Sequence, residues 1–65
     1  MKILLWDIRT RKKITLSKLA EKSGVSKSTI QRIESGETSP TITTLEKLAI
    51  ALNVRISDLY ESEYK

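Results

Sequence analysis

Cysteine is absent from the 65-residue chain, which excludes both a disulfide framework and a thiolate metal site. Histidine is absent as well. With it goes the side chain most used as a metal ligand and as a general base near neutral pH. The longest unbroken apolar run is Leu48-Ala49-Ile50-Ala51-Leu52, followed by Ile3-Leu4-Leu5-Trp6. That is far short of the ~20 residues that span a bilayer and too short for the apolar core of a secretion signal. A cytoplasmic protein with no membrane contact is the expectation. Acids such as Glu34 and Glu37 have no evident partner base, nucleophile or metal set. An enzyme is therefore the least expected class, and no cofactor, metal or small-molecule substrate is implied.

What is present fits one small soluble domain over residues 1–65, with 38% hydrophobic and 31% charged side chains. The net charge is +4, and its distribution is uneven. Residues 1–32 carry nine basic side chains against Asp7 and Glu21, a net of +7. Residues 33–65 carry Lys47, Arg55 and Lys65 against six acids, a net of −3. Charge alone fits two readings, solvated faces that keep a small protein soluble or a surface that meets a polyanion such as nucleic acid.

Local signals divide the chain into helices and short turns, with no convincing strand. A first helix is expected over roughly Ile3 to Lys12, with Leu4, Leu5 and Ile8 turned inward. Thr15 can cap a second helix whose apolar residues Leu16, Leu19 and Ala20 recur at helical spacing. Ser23-Gly24 stops it, and Ser26 caps a third helix with Ile30 and Ile33 on its inner side. Ser35-Gly36 ends that helix, and a polar loop runs to Pro40. Thr41 or Thr43 caps the longest helix, where Thr43 with Glu46 has capping-box form. Its apolar stripe is Ile42, Leu45, Leu48, Ala49 and Leu52. Asn53 closes it, and Ser57 is expected to cap a last short turn bearing Leu59 and Tyr60. So short a chain buries little core, and a second subunit would add to its stability.

The informative stretch is Leu16 to Glu34. Two short helices joined by a turn at Gly24 describe a helix-turn-helix over about residues 16–34. Small Ala20 lets the helices cross closely, while Leu19, Val25, Ile30 and Ile33 anchor the second on the core. Its free side then carries Lys27, Ser28, Gln31 and Arg32, with Thr29 at the edge. A helix of this kind fits a DNA major groove, where Lys27 and Arg32 can donate to guanine and the others reach base edges.

The run from Thr15 to Ile30, with Ile33-Glu34-Ser35-Gly36, Pro40-Thr41-Ile42 and Leu45-Glu46-Lys47-Leu48-Ala49, closely resembles the Cro/Xre-type helix-turn-helix family of phage repressors and bacterial regulators. The resemblance covers about Leu5 to Leu59. It implies an all-α, compact five-helix, lambda-repressor-like domain, bacterial or phage-encoded and associated with the nucleoid. Its third helix would read double-stranded DNA, usually as a homodimer on a palindromic operator. Carried over by position, Lys27, Ser28 and Arg32 become base readers, with Gln31 and Thr29 beside them. Arg9 and Glu34 match the places of an arginine–glutamate pair that is structural in the family, which would withhold Arg9 from DNA.

Two positions depart from the family pattern. Leu16 stands where a glutamine often contacts phosphate, and Glu37 stands where a basic residue is common. Backbone contacts are then expected to be weaker or to come from elsewhere. Thr15, Ser17, Lys18, Thr29, Ser35, Thr38, Ser39 and Thr41 are the candidates for phosphate, although hydroxyls at such places also serve as helix caps and turn formers. Trp6, Tyr60 and Tyr64 are the only aromatics. Trp6 with Ile56, Leu59 and Tyr60 is the candidate dimer surface, the alternative being packing of the chain ends on one another. Rival functions are an antitoxin-type regulator, for which no extra toxin-binding segment is visible, and a protein-interaction module that has lost DNA binding.

Overall fold

Hydroxyl side chains start three of the four α-helices in the computed structural model, which describes residues 1–65. The order is β1 (Lys2–Ile3), α1 (Leu5–Arg11), α2 (Leu16–Ser23), α3 (Lys27–Ser35), α4 (Ile42–Leu52), a 3-10 turn (Ile56–Leu59) and β2 (Tyr60–Glu61). The oxygens of Thr15, Ser26 and Thr41 accept from the backbone N–H of Lys18, Thr29 and Thr44 at 3.1, 3.2 and 3.1 Å. Each bond satisfies a donor that the first helical turn leaves unpaired. Gly24, Gly36 and Asn53 end these helices in the left-handed conformation, with φ of 75°, 86° and 57°.

A Cβ at Gly24 would meet nothing within 4 Å, so the demand for glycine there is conformational rather than steric. Gly24→Ala is expected to cost about 1–2 kcal/mol, the strain of a left-handed alanine. Gly24→Asn should cost less, since asparagine tolerates that conformation. A urea midpoint for each variant checks this.

The core is one cluster, formed by Leu5, Leu19, Ile30, Ile33, Leu45, Leu48, Ala49, Leu52 and Leu59. Every helix supplies at least one member, so α2 and α3 are held by α1 and α4 rather than by each other alone. Ile8, Ile14, Leu16, Ala20 and Val25 pack against it from the rim.

Several expectations are corrected. The fold has four α-helices rather than five and is not all-α. The last segment closes as a single 3-10 turn, and the Asp58 carboxylate accepts from the Arg55 N–H at 2.9 Å. Ser57 lies inside that turn and does not cap it. The N-terminal segment is not helical at Ile3. Lys2 pairs with Glu61 and Ile3 with Tyr60 in an antiparallel ribbon that ties the two chain ends together. Thr41 is the cap of α4, and Thr43 falls within the helix. Ile42, at the edge of the apolar stripe, is 67% exposed. Leu59 is fully buried in the single chain, so it belongs to the core and not to a dimer surface. Trp6 remains 55% exposed, while Ile56 and Tyr60 are half-buried.

Candidate nucleic-acid interface

Ile30 and Ile33 fix α3 by burying one side completely. Their spacing turns Lys27, Ser28, Gln31 and Arg32 outward, and all four are exposed. At about 100° per residue, Ser28, Gln31 and Arg32 lie nearest the outward direction, with Lys27 at the margin. Thr29 sits closer to the core and is half-buried. The exposed face thus presents two cations, an amide and a hydroxyl on a helix that cannot rotate without exposing isoleucine.

Arg9 anchors this helix from its far end. Its Nε donates to Glu34 Oε2 at 2.6 Å and its Nη2 to Glu34 Oε1 at 3.1 Å, a two-point pair. Nη1 of Arg9 donates to the Ile14 carbonyl at 2.9 Å. One guanidinium therefore ties α1 to the end of α3 and to the residue just before the cap of α2. Both side chains are nearly buried, Arg9 at 12% and Glu34 at 8% exposure. An acid in the last turn of a helix opposes the helix dipole, and the arginine accounts for its presence.

The candidate phosphate residues divide by what their polar atoms already do. Thr15 and Thr41 are exposed caps whose oxygens are engaged with the backbone. The Ser35 hydroxyl donates to the Arg32 carbonyl at 3.1 Å, and the Glu37 N–H donates to the same oxygen at 2.9 Å. Those bonds close α3 at Gly36. Ser17, Lys18, Thr38 and Ser39 are exposed, and Lys18 pairs only loosely with Glu21 at 3.9 Å. Glu37 is exposed in the loop after α3. Leu16 is half-buried on the core rim, so its side chain serves packing. Sequence reasoning missed the Arg9–Ile14 bond and the side-chain bond from Ser26 to Thr29. Neither has a local signature, because each depends on rotamers set by packing.

No group of three or more Asp or Glu side chains is placed to hold a metal ion, and no helix is long and apolar enough to cross a membrane.

A helix-turn-helix family model, HTH_3, matches residues 7–59. The HTH-type transcriptional regulator SutR of Escherichia coli is 47% identical over 53 residues, covering 82% of this chain and 30% of SutR. The chain spans about a third to a half of the length of the curated relatives it matches. Among solved structures, the N-terminal DNA binding domain of SinR from Bacillus subtilis superposes with a TM-score of 0.81 at 35% identity. That match covers 94% of this chain and 90% of the other. The restriction-modification controller protein C.AhdI from Aeromonas hydrophila superposes with a TM-score of 0.82 at 30% identity, covering 86% and 85%. The arrangement of α2, the Gly24 turn and α3, the family match and these likenesses agree, and the chain belongs to the HTH_3 helix-turn-helix family.

Proposed function

We propose that this chain is a sequence-specific, double-stranded-DNA-binding transcriptional regulator that acts as a repressor by occupying a promoter. The observation that carries the reading is the outward face of α3, where Lys27, Ser28, Gln31 and Arg32 stand exposed on a helix anchored by Ile30 and Ile33. Lys27 occupies the first position of α3, and the first turn holds no acid. A cation there opposes the helix dipole, which an anionic partner would offset. The likeness to the N-terminal DNA binding domain of SinR supports the same reading.

In this reading Lys27, Ser28, Gln31 and Arg32 read base edges. Ser17, Lys18, Thr29, Thr38 and Ser39, with Thr15, Ser35 and Thr41 where their cap and closing bonds leave room, face the sugar-phosphate backbone. The active species is a two-fold dimer on a palindromic operator, with half-sites about 34 Å apart. Trp6, Ile56 and Tyr60 remain as its contact surface, without Leu59. Glu37, exposed in the loop where a phosphate contact would fall, favours one alternative, a protein-interaction module that has lost DNA binding.

Fluorescence anisotropy with a random-sequence duplex pool, followed by sequencing of the retained DNA, tests the proposal. Enrichment of a palindrome supports it. Absence of duplex binding even at low salt overturns it in favour of the interaction module. On the enriched site, Arg32→Ala is expected to cost about 1–3 kcal/mol and to relax preference at one base pair per half-site. Equal weakening on every sequence would make Arg32 a phosphate contact instead.

A further inference from the structure

We infer that Ser26 is a positioning residue for the proposed DNA contact, setting the Thr29 hydroxyl as a donor toward the phosphate backbone. The inference rests on the DNA-binding reading above. Three hydroxyls crowd the start of α3. Ser26 Oγ accepts from the Thr29 N–H at 3.2 Å, and its own proton goes to Thr29 Oγ1 at 2.7 Å. A hydroxyl has one proton and two acceptor sites. With the Ser26 proton committed to Thr29, the Thr29 proton has to point away from Ser26.

Phosphate oxygens only accept hydrogen bonds, so a hydroxyl already turned into a donor meets them without reorganising. Fixing such a group before binding removes part of the ordering cost of association. Thr29 is half-buried, which restricts its rotamer further. Ser28 is different. Its Oγ lies 3.4 Å from Ser26 Oγ, longer than an ordinary O–H···O bond, and the residue is exposed. Ser28 is therefore left to turn toward a base while Thr29 is held.

The same bond from cap to third residue recurs at α4, where Thr41 Oγ1 donates to Thr44 Oγ1 at 2.9 Å. The bond by itself is thus a capping device. What distinguishes Ser26 is its setting: the residues beside its bond are Lys27 and Ser28, on the face proposed to read DNA, whereas beside Thr41 they are Ile42 and Thr43, exposed too but outside that face.

A double-mutant cycle in DNA binding separates positioning from capping. Wild type, Ser26→Ala, Thr29→Val and the double variant are titrated with the random-sequence duplex pool at low salt. Such a pool reads phosphate contacts, which do not depend on sequence. Circular dichroism at the working temperature establishes that each variant is folded, so lost cap stability does not enter the affinity. Thr29→Val is expected to weaken binding about tenfold, the worth of a hydrogen bond to a charged oxygen. Ser26→Ala should lose a large part of that factor, the double variant should bind no worse than Thr29→Val alone, and Ser26→Thr should restore wild-type affinity.

Equal losses from Thr29→Val with and without the Ser26 hydroxyl would leave Ser26 a cap only and overturn the inference. So would an unchanged affinity for Thr29→Val. Failure of the wild type itself to bind the pool is a different result, since it removes the DNA-binding reading rather than the role of Ser26 within it.

Discussion

Glu34→Ala is expected to bring the protein close to its unfolding midpoint at room temperature. The substitution strands an arginine whose side chain is only 12% exposed and whose guanidinium now directs two of its nitrogens at a missing carboxylate. Removing one partner of a buried pair costs about 3–5 kcal/mol, because the remaining charge keeps its desolvation without its compensation. Native domains have about 5–15 kcal/mol in total, and a chain this short stands near the lower end. Arg9→Ala should do comparable damage from the other side, leaving the carboxylate of Glu34, whose side chain is 8% exposed, without its donors and also freeing the Ile14 carbonyl. Arg9→Lys should rescue only part, since an ammonium cannot hold both carboxylate oxygens in one plane. The double variant Arg9→Met, Glu34→Leu is the informative control. It is expected to fold with close to wild-type stability, because apolar replacement of a whole buried pair is often neutral or better. Urea denaturation of the four variants and the wild type checks this. A Glu34→Ala variant within about 1 kcal/mol of wild type would show that the pair behaves as a surface ion pair.

Much of the fold is legible in the sequence because its signals are local. Thr15 and Ser26 are caps, and Gly24, Gly36 and Asn53 are left-handed stops, as hydroxyls and small residues at such places suggest. The inward set Leu19, Ile30, Ile33, Leu45, Leu48, Ala49 and Leu52 follows from helical spacing and lies in the core. What was not legible depends on distant partners. A ribbon with two residues per strand has no periodicity to detect, and Lys2 meets Glu61 only because the helices between them fold back. Leu59 reads as surface beside Ile56 and Tyr60, yet the 3-10 turn directs it inward while they stay on the rim. Thr43 with Glu46 has the form of a capping box, but Thr41 takes the role two residues earlier, directly after Pro40. In the candidate interface, exposure of Lys27, Ser28, Gln31 and Arg32 followed from the two isoleucines beneath them. The state of each hydroxyl did not, since a residue type cannot show that Ser35 is donating to its own helix.

Salt should weaken duplex binding steeply, and the steepness should count subunits. Each phosphate neutralised by a cation adds about −0.9 to the slope of log affinity against log salt. Arg9 is withheld by Glu34, and most of the remaining candidates are hydroxyls, which displace no counterions. The cations on or beside the proposed interface are Lys18, Lys27 and Arg32, all exposed. On a random-sequence duplex, where no base pair is selected and all three cations meet phosphate, three per protomer give a slope of about −2.7 for one bound chain and about −5.4 for two. Between 50 and 200 mM salt, affinity should then fall by about 40-fold for a monomer and by about 2,000-fold for a two-fold dimer. Lys18→Gln removes one cation from each chain, so it should flatten the slope by about 0.9 in the first case and about 1.8 in the second. A slope well beyond −5.4 would bring Lys12, Lys13 or Lys22 onto the backbone as well. A slope near zero would mean that the exposed cations of α2 and α3 do not meet a polyanion, and the basic half of the chain would then be a solvated face.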